Sequence, residues 1–141
     1  MHDVSIVLCG EAGQGIQTVE NILAPLFKQA GLHVFATKEY MSRIRGGTNT
    51  TSIRVADHRV QAYCDRIDIL VPLDSGRTKH LNSRLTSDTL IIDIPFAEVA
   101  AQLGNKLYAN TVAAGALAGL FSLDPALLKS FITQYFAAKD T

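Results

Sequence analysis

The chain opens on an apolar run over residues 4–9, interrupted only by Ser5, as expected of a strand covered on both faces. The rhythm then changes. Ile16, Val19, Ile22, Leu23, Leu26, Phe27 and Ala30 recur at helical spacing, with Pro25 expected to kink or break the helix and Gly31 to stop it. Residues 32–37 read as a second strand, so the opening is a βαβ unit with parallel strands and a right-handed crossover. A polar stretch, 38–47, comes next. Thr51, Ile53 and Val55 then alternate with Ser52 and Arg54; Asp57-His58 reads as a hairpin turn, with Val60, Ala62 and Cys64 on the return strand. Residues 67–73 and 90–94 are further strands. Pro95 starts a helix containing Phe96, Val99, Ala100 and Leu103, closed by Gly104-Asn105. Asn110 is the expected N-cap of an Ala- and Gly-rich helix, 111–121, whose small side chains predict close approach to a neighbour. Asp124-Pro125 caps the last helix, with Leu127, Leu128, Phe131, Ile132, Tyr135 and Phe136 on one apolar face.

These elements predict a single layered α/β domain over residues 1–141, its sheet made mixed by the hairpin. A hydrophobic content of 48% against 18% charged residues is that of an ordinary folded chain, and there is no repeat or low-complexity tract. The formal charge of zero leaves no broad electrostatic footprint for nucleic acid. The longest apolar run, 112–121, is too short to cross a bilayer, and the N-terminus lacks the basic-then-apolar pattern of a secretory signal. Cys9 and Cys64 lie far apart with no metal-ligand spacing, and Cys9 ends a buried strand as a small hydrophobe. A reduced, cytoplasmic chain is the expectation.

Two segments carry candidate chemistry. Gly10-Glu11-Ala12-Gly13-Gln14-Gly15 joins the first strand to the first helix, where bare N–H groups at a helix N-terminus can face an anion. Its glycines are spaced three then two, the reverse of the dinucleotide fingerprint, which argues against NAD. Gln14 adds an amide donor and acceptor; the alternative is a glycine turn that serves geometry alone. In Arg43-Ile44-Arg45-Gly46-Gly47, planar guanidinium groups beside paired glycines suit a phosphate or carboxylate, the alternative being a solvated turn. Lys38 adds positive charge there and Glu39 offsets it. His2, His33, His58 and His80 are not spaced as metal ligands, and Asp68, Asp74 and Asp93 read as caps or turn closers rather than general bases. No nucleophile–base arrangement is visible, so no catalytic residue is assigned.

Three stretches taken together resemble the gamma subunit or gamma domain of the 2-oxoacid:ferredoxin (2-oxoacid:acceptor) oxidoreductases. They are 10–16, 40–47 (Tyr40-Met41-Ser42-Arg43-Ile44-Arg45-Gly46-Gly47) and 110–116, opening on Asn110-Thr111-Val112. Ala12 stands where many gamma chains have glycine, and looks more like the versions in which gamma is the N-terminal part of a fused alpha subunit. The resemblance implies a layered α/β/α fold like domain III of pyruvate:ferredoxin oxidoreductase, with a mixed, mostly parallel sheet and a β-hairpin. It also implies a complex, of the pyruvate and 2-oxoglutarate synthase kind, that decarboxylates a 2-oxoacid on thiamine diphosphate. Such a complex passes electrons through iron–sulfur clusters to ferredoxin and transfers the acyl group to coenzyme A. Alpha and beta subunits would hold the thiamine diphosphate, cysteine-rich segments elsewhere would hold the clusters, and a delta subunit is a further candidate partner. This chain has neither a Gly-Asp-Gly thiamine motif nor a cysteine cluster, so it should be inactive alone. Gly10, Gly13, Gln14, Gly15, Arg43, Arg45, Gly46 and Gly47 become candidate contacts to coenzyme A or to a partner subunit. The rival readings are a stand-alone nucleotide or phosphate-ester binding module, and a purely structural domain.

Overall fold

The computed structural model describes residues 2–11, 15–40, 47–74 and 78–139. Five strands form one mixed sheet in the order β2-β3-β1-β4-β5: β1 (Asp3–Glu11), β2 (His33–Tyr40), β3 (Thr48–Ala56), β4 (Ile69–Pro72) and β5 (Leu90–Ile91). β3 is antiparallel to both β1 and β2, whereas β4 and β5 continue parallel from β1. β1 and β2 therefore run in the same direction, as the βαβ reading requires, but β3 has been inserted between them. β5 is shorter than the predicted 90–94 strand; it is an edge element whose Leu90 and Ile91 are half exposed.

Side chains alternate strictly across the sheet. Ile6 and Leu8 of β1, Ile53 and Val55 of β3, and Ile69 and Val71 of β4 face one side and join the main core. Onto them pack α1 (Ile16–Gln29), α2 (Phe96–Gln102), α3 (Ala109–Leu120) and α4 (Pro125–Lys139). α1 buries Ile16, Val19, Ile22, Leu23, Leu26 and Phe27, the stripe read from its spacing, and continues through Pro25 without a break. Phe27 meets Phe121 edge to face at 5.1 Å. The small side chains of α3 that approach the core are Ala113, Ala114 and Ala118; Gly115 and Gly119 instead face open space, with nothing within 4 Å of an added methyl. α4 buries no residue completely, although Leu128, Ile132 and Tyr135 pack on the core from one face.

α1 stops as predicted at Gly31 (φ +85°), where Leu32 N–H bonds Phe27 O and Gly31 N–H bonds Lys28 O, the paired bonds of a Schellman motif. α3 ends with the same pair of bonds around Ser122, a non-glycine residue at φ +52°. Its start differs from expectation. Asn110 is already inside the helix, and the capping carboxamide belongs to Asn105, which accepts the Leu107 N–H and opens a 3-10 turn, Lys106–Tyr108, leading into α3. Asp124 caps α4 as read, accepting the Ala126 N–H at 2.9 Å.

The predicted hairpin around Asp57-His58 does not form. Both edges of β3 are occupied by β1 and β2, so a return strand has no ladder to join. Residues 59–67 form a strap instead, with Tyr63 and Cys64 beside Ser5, Phe35, Thr37, Ser52 and Arg54 on the sheet's second face. Arg54 Nη1 holds the strap through Ala62 O at 3.1 Å, and Arg84 Nε donates to Asp65 O at 2.9 Å. Under the strap, Val7, Cys9, Ile67, Leu70 and Leu81 make a smaller second core, with Leu81 supplied by the 3-10 helix Lys79–Arg84. The antiparallel hairpin of the fold is thus β2–β3, and the third layer is thin.

Arg54 also donates from Nε and Nη2 to Asp3 Oδ1 and Oδ2 at 2.9 and 2.7 Å. That bidentate pairing holds the Asp3 carboxyl below its ordinary value of 3.8, against the opposing effect of partial burial. The folded state therefore binds the Asp3 proton less tightly than the unfolded chain. Its stabilisation is complete above the ordinary value and is lost as pH falls toward the depressed one. Urea midpoints should drop as pH is lowered through about 4, and Asp3→Asn should flatten that part of the profile. An unchanged acid slope in Asp3→Asn would assign the pH dependence elsewhere.

Candidate functional site

The ends of β1, β2 and β3 meet at one margin of the sheet. Gly10 pairs with Asn49 and Glu11 with Thr48, while Tyr40 at the end of β2 also faces Asn49. Gly10 is thus a buried strand residue, and the connection to α1 starts only after Glu11. Gly13, Gln14, Arg43, Arg45 and Gly46 lie outside the described residues. Gly47, immediately before β3, and Gly15, immediately before α1, are described and both belong to this margin.

Gly15 adopts a left-handed conformation, φ +79° and ψ 24°, and its carbonyl accepts the N–H groups of Thr18 and Val19. Among the described residues no side chain caps α1 and no acidic residue occupies its first turn, so the helix start carries the partial positive charge of its backbone N–H groups. In front of it opens a cavity of about 550 Å³. Gln17 and Thr18 of α1, Lys38 and Tyr40 of β2, and Tyr135 and Lys139 of α4 are among its walls.

The walls carry both signs of charge, Glu11 with Lys38 and Lys139. Lys38 Nζ lies 3.1 Å from Glu20 Oε2, a buried oxygen with no hydrogen bond of its own, so the ion pair is its compensation among the described residues. Lys139 Nζ sits 4.6 Å from the centroid of the Tyr135 ring. Burial raises the Tyr135 phenol, but hydrogen bonds from Lys139, Thr18 and Asn21 outweigh it and bring the group below its ordinary value. The Tyr135 hydroxyl and Thr18 Oγ1 are 3.2 Å apart, tying the last helix to the start of the first. Apart from Lys38, reading residues by motif missed this set. Tyr135 and Lys139 lie far down the chain on a helix read only for its apolar stripe. The hydroxyl at the edge of that stripe was the available signal.

A second cavity, of about 330 Å³, lies on the other side of Gly15, between it and Leu73, Phe96, Leu107 and Asn110. Gly15 is a wall of both spaces, and Asn110 packs directly behind it. The first and third stretches of the family resemblance therefore meet in space. The second flanks them through Tyr40 and Gly47.

The other polar candidates have structural employment. Asp68 accepts the Ser5 N–H at 2.8 Å and Arg66 Nε at 2.8 and 2.9 Å, and His80 Nε2 shares a 2.9 Å hydrogen bond with Thr50 Oγ1. Among the described residues no group of side chains could hold a metal ion, and no helix is long and apolar enough to cross a membrane.

This fold has known relatives. Residues 5–141 match the pyruvate ferredoxin/flavodoxin oxidoreductase family, and the chain belongs to that family. It is 28% identical over 138 residues to the 2-oxoglutarate synthase subunit KorC of Archaeoglobus fulgidus, covering 88% of this chain and 74% of that protein. It is 38% identical over 72 residues to a 2-oxoacid:ferredoxin oxidoreductase subunit alpha of a Sulfolobus species, covering 51% of this chain and 11% of that much longer protein. Among solved structures, the 2-oxoglutarate:ferredoxin oxidoreductase of Magnetococcus marinus, with 2-oxoglutarate, coenzyme A and succinyl-CoA bound, superposes with a TM-score of 0.82 at 22% identity. That match covers 99% of this chain and 28% of the Magnetococcus chain. The pyruvate oxidoreductase subunit PORC of Thermotoga maritima gives a TM-score of 0.71 at 19% identity, covering 96% and 86% of the two chains. At those identities the structures speak for the fold.

Cys9 is fully buried in the second core, and burial, aided by the Asp74 carboxylate, pushes its thiol up to about 11. A thiol so protonated is neither a nucleophile nor a ready cluster ligand at neutral pH. With a thiol-specific reagent at pH 8, Cys64, which is only partly buried, should label first and Cys9 only when denaturant is added. Rapid labelling of both cysteines in the folded chain would contradict the packing around Cys9.

Proposed function

We propose that the chain is the gamma component of a 2-oxoacid:ferredoxin oxidoreductase complex, serving subunit assembly and helping to position coenzyme A. One observation carries the reading: a family match over nearly the whole chain coincides with a helix start, without a side-chain cap among the described residues, that faces a cavity bordered by Lys38 and Lys139. Backbone N–H groups and ammonium groups suit the phosphates of coenzyme A, the ligand bound in the Magnetococcus structure. When bound, coenzyme A would supply the thiol that accepts the acyl group. The part of this chain is to hold its charged portion, with Arg43 and Arg45 as additional donors.

The residues present do not fit an iron–sulfur cluster, since the chain has two cysteines and Cys9 is sealed in a core. Thiamine diphosphate and the clusters are therefore assigned to alpha and beta partners, with ferredoxin meeting the complex through them. Docking has a suitable surface. Leu90, Ile91, Ile94, Leu103, Leu107 and Tyr108, from β5 to the 3-10 turn, are all at least 39% exposed, an apolar margin to be expected where a subunit is covered in its complex. No observation favours the stand-alone phosphate-ester module over this reading.

Co-expression with the thiamine-binding partners should yield a complex that turns over a 2-oxoacid, while the isolated chain yields none. In that complex Arg45→Ala should raise the KM for coenzyme A about tenfold and leave the KM for the 2-oxoacid unchanged. Turnover by the isolated chain would overturn the proposal. An unaltered coenzyme A requirement would remove Arg45 from the coenzyme site.

A further inference from the structure

We infer that Asn110 is a positioning residue for Gly15, fixing the direction in which the first turn of α1 presents its N–H groups to the larger cavity. This inference deepens the proposed function and rests on it for its link to coenzyme A. The geometry of the pair stands independently.

Gly15 needs its left-handed conformation to bring the chain from the strand end into α1. Where a side chain on Gly15 would begin, the space is already filled. Asn110 Cγ and Cβ lie 3.2 and 3.3 Å from that point, and Nδ2 is the nearest atom of all. The carboxamide is held in this pose from its other end, because Oδ1 accepts the Thr111 N–H at 2.7 Å. Asn110 stands in the first turn of α3 and is not its cap; its bond to the Thr111 N–H serves that turn, and the other end of the carboxamide is left to reach Gly15. What it does is press a short, rigid amide from α3 against the glycine that starts α1.

Asn110 lines the smaller cavity but not the larger one, whereas Gly15 lines both. It therefore acts on the larger cavity through Gly15 rather than by touching what binds there. A Cα pinned from behind limits how far the turn can swing; Gly15 O keeps its hold on the Thr18 and Val19 N–H groups, and the N–H groups of Ile16 and Gln17, which open the same turn at the cavity wall, keep their direction.

The test has two arms. In the isolated chain, Asn110→Ala should speed amide hydrogen exchange at Thr18 and Val19 about tenfold while the strands of the sheet are unaffected. Gly15→Ala should lower the melting temperature less in the Asn110→Ala background than in the parent, since the collision with the carboxamide is gone and only the 3.3 Å approach of Cβ remains beside the backbone penalty. Asn110→Asp keeps the bond to Thr111 and serves where the alanine variant does not fold; it should disturb the same amides. In the assembled complex, Asn110→Ala should raise the KM for coenzyme A about fivefold with kcat held within about twofold. Asn110→Asp, which puts an anion behind the turn, should raise it further. Uniform loosening of the whole chain, or additive melting shifts for the two substitutions, would overturn the positioning role. If the amides respond but coenzyme A kinetics do not, the positioning role stands and the coenzyme A reading of the cavity fails.

Discussion

The sheet margin that carries the candidate site is set by the pairing of β1. This strand is held along its full length by β3 on one side and over its middle, from Ile6 to Cys9, by β4 on the other. A central strand gripped on both edges has no freedom to slide, because a one-residue slip would turn Ile6 and Leu8 out of the main core and Val7 and Cys9 into it. The point at which the chain leaves β1 is thereby fixed. So is the ground that α1 must cover, since its apolar stripe lands on the face made by Ile6, Leu8, Ile53 and Val55. Between two elements so constrained only a short connection is available. Its last residue, Gly15, takes up the change of direction with a conformation costly to most other residues. The helix N-terminus is consequently aimed by the sheet, not by a cap of its own.

Local patterns made much of this visible in the sequence. The stripe from Ile16 to Phe27, the stop at Gly31 and the Asp124 cap depend on residues close in the chain, and each was readable from spacing alone. What escaped was long-range pairing. Alternation in residues 51–55 announced a strand, but nothing local says that β3 slots between β1 and β2 and so denies the residues after Asp57 a partner edge. The same limit hid Asn105 and Asn110. Both are asparagines near a helix start, and only the 3-10 turn between them decides which one caps. It also hid the walls of the larger cavity, where Thr18 and Tyr135 become neighbours only because α4 folds back across α1. Of the two outcomes expected at Pro25, a break does not occur: packing on both sides of it in α1, through Leu23, Leu26 and Phe27, outweighs the single backbone bond that proline forgoes.

The chemistry divides along the same lines as the packing. Reactive potential within the domain is suppressed: one thiol is buried and held protonated, and the acid–arginine clusters around Asp3, Arg54, Arg66 and Asp68 are spent on fastening the strap. Polar groups gather where β1, β2 and α1 converge, in the backbone N–H groups of the α1 start and in Lys139 and the Tyr135 hydroxyl, which are tied to one another. Donors fixed in this way can bind and orient an anion.

The two faces of the sheet differ in how they are covered, and the difference bears on assembly. The helical side is deep, with Phe27, Leu26 and Leu117 at or near zero exposure. The strap side buries few large side chains and owes its closure to guanidinium hydrogen bonds with backbone carbonyls and carboxylates. Cover is also missing in places: Leu90 and Ile91 of the two-residue β5 are half exposed, and Leu103 and Leu107, after α2 and in the 3-10 turn, are 71% and 79% exposed. Exposed leucines next to an unpaired strand edge are a hazard for a chain that remains alone, since both invite nonspecific association. Selection for a solitary chain would oppose such a margin, whereas a chain that is covered at that margin in its complex keeps it at no such cost. The distribution of exposed apolar surface therefore argues, independently of the family match, that this domain works as part of a larger assembly.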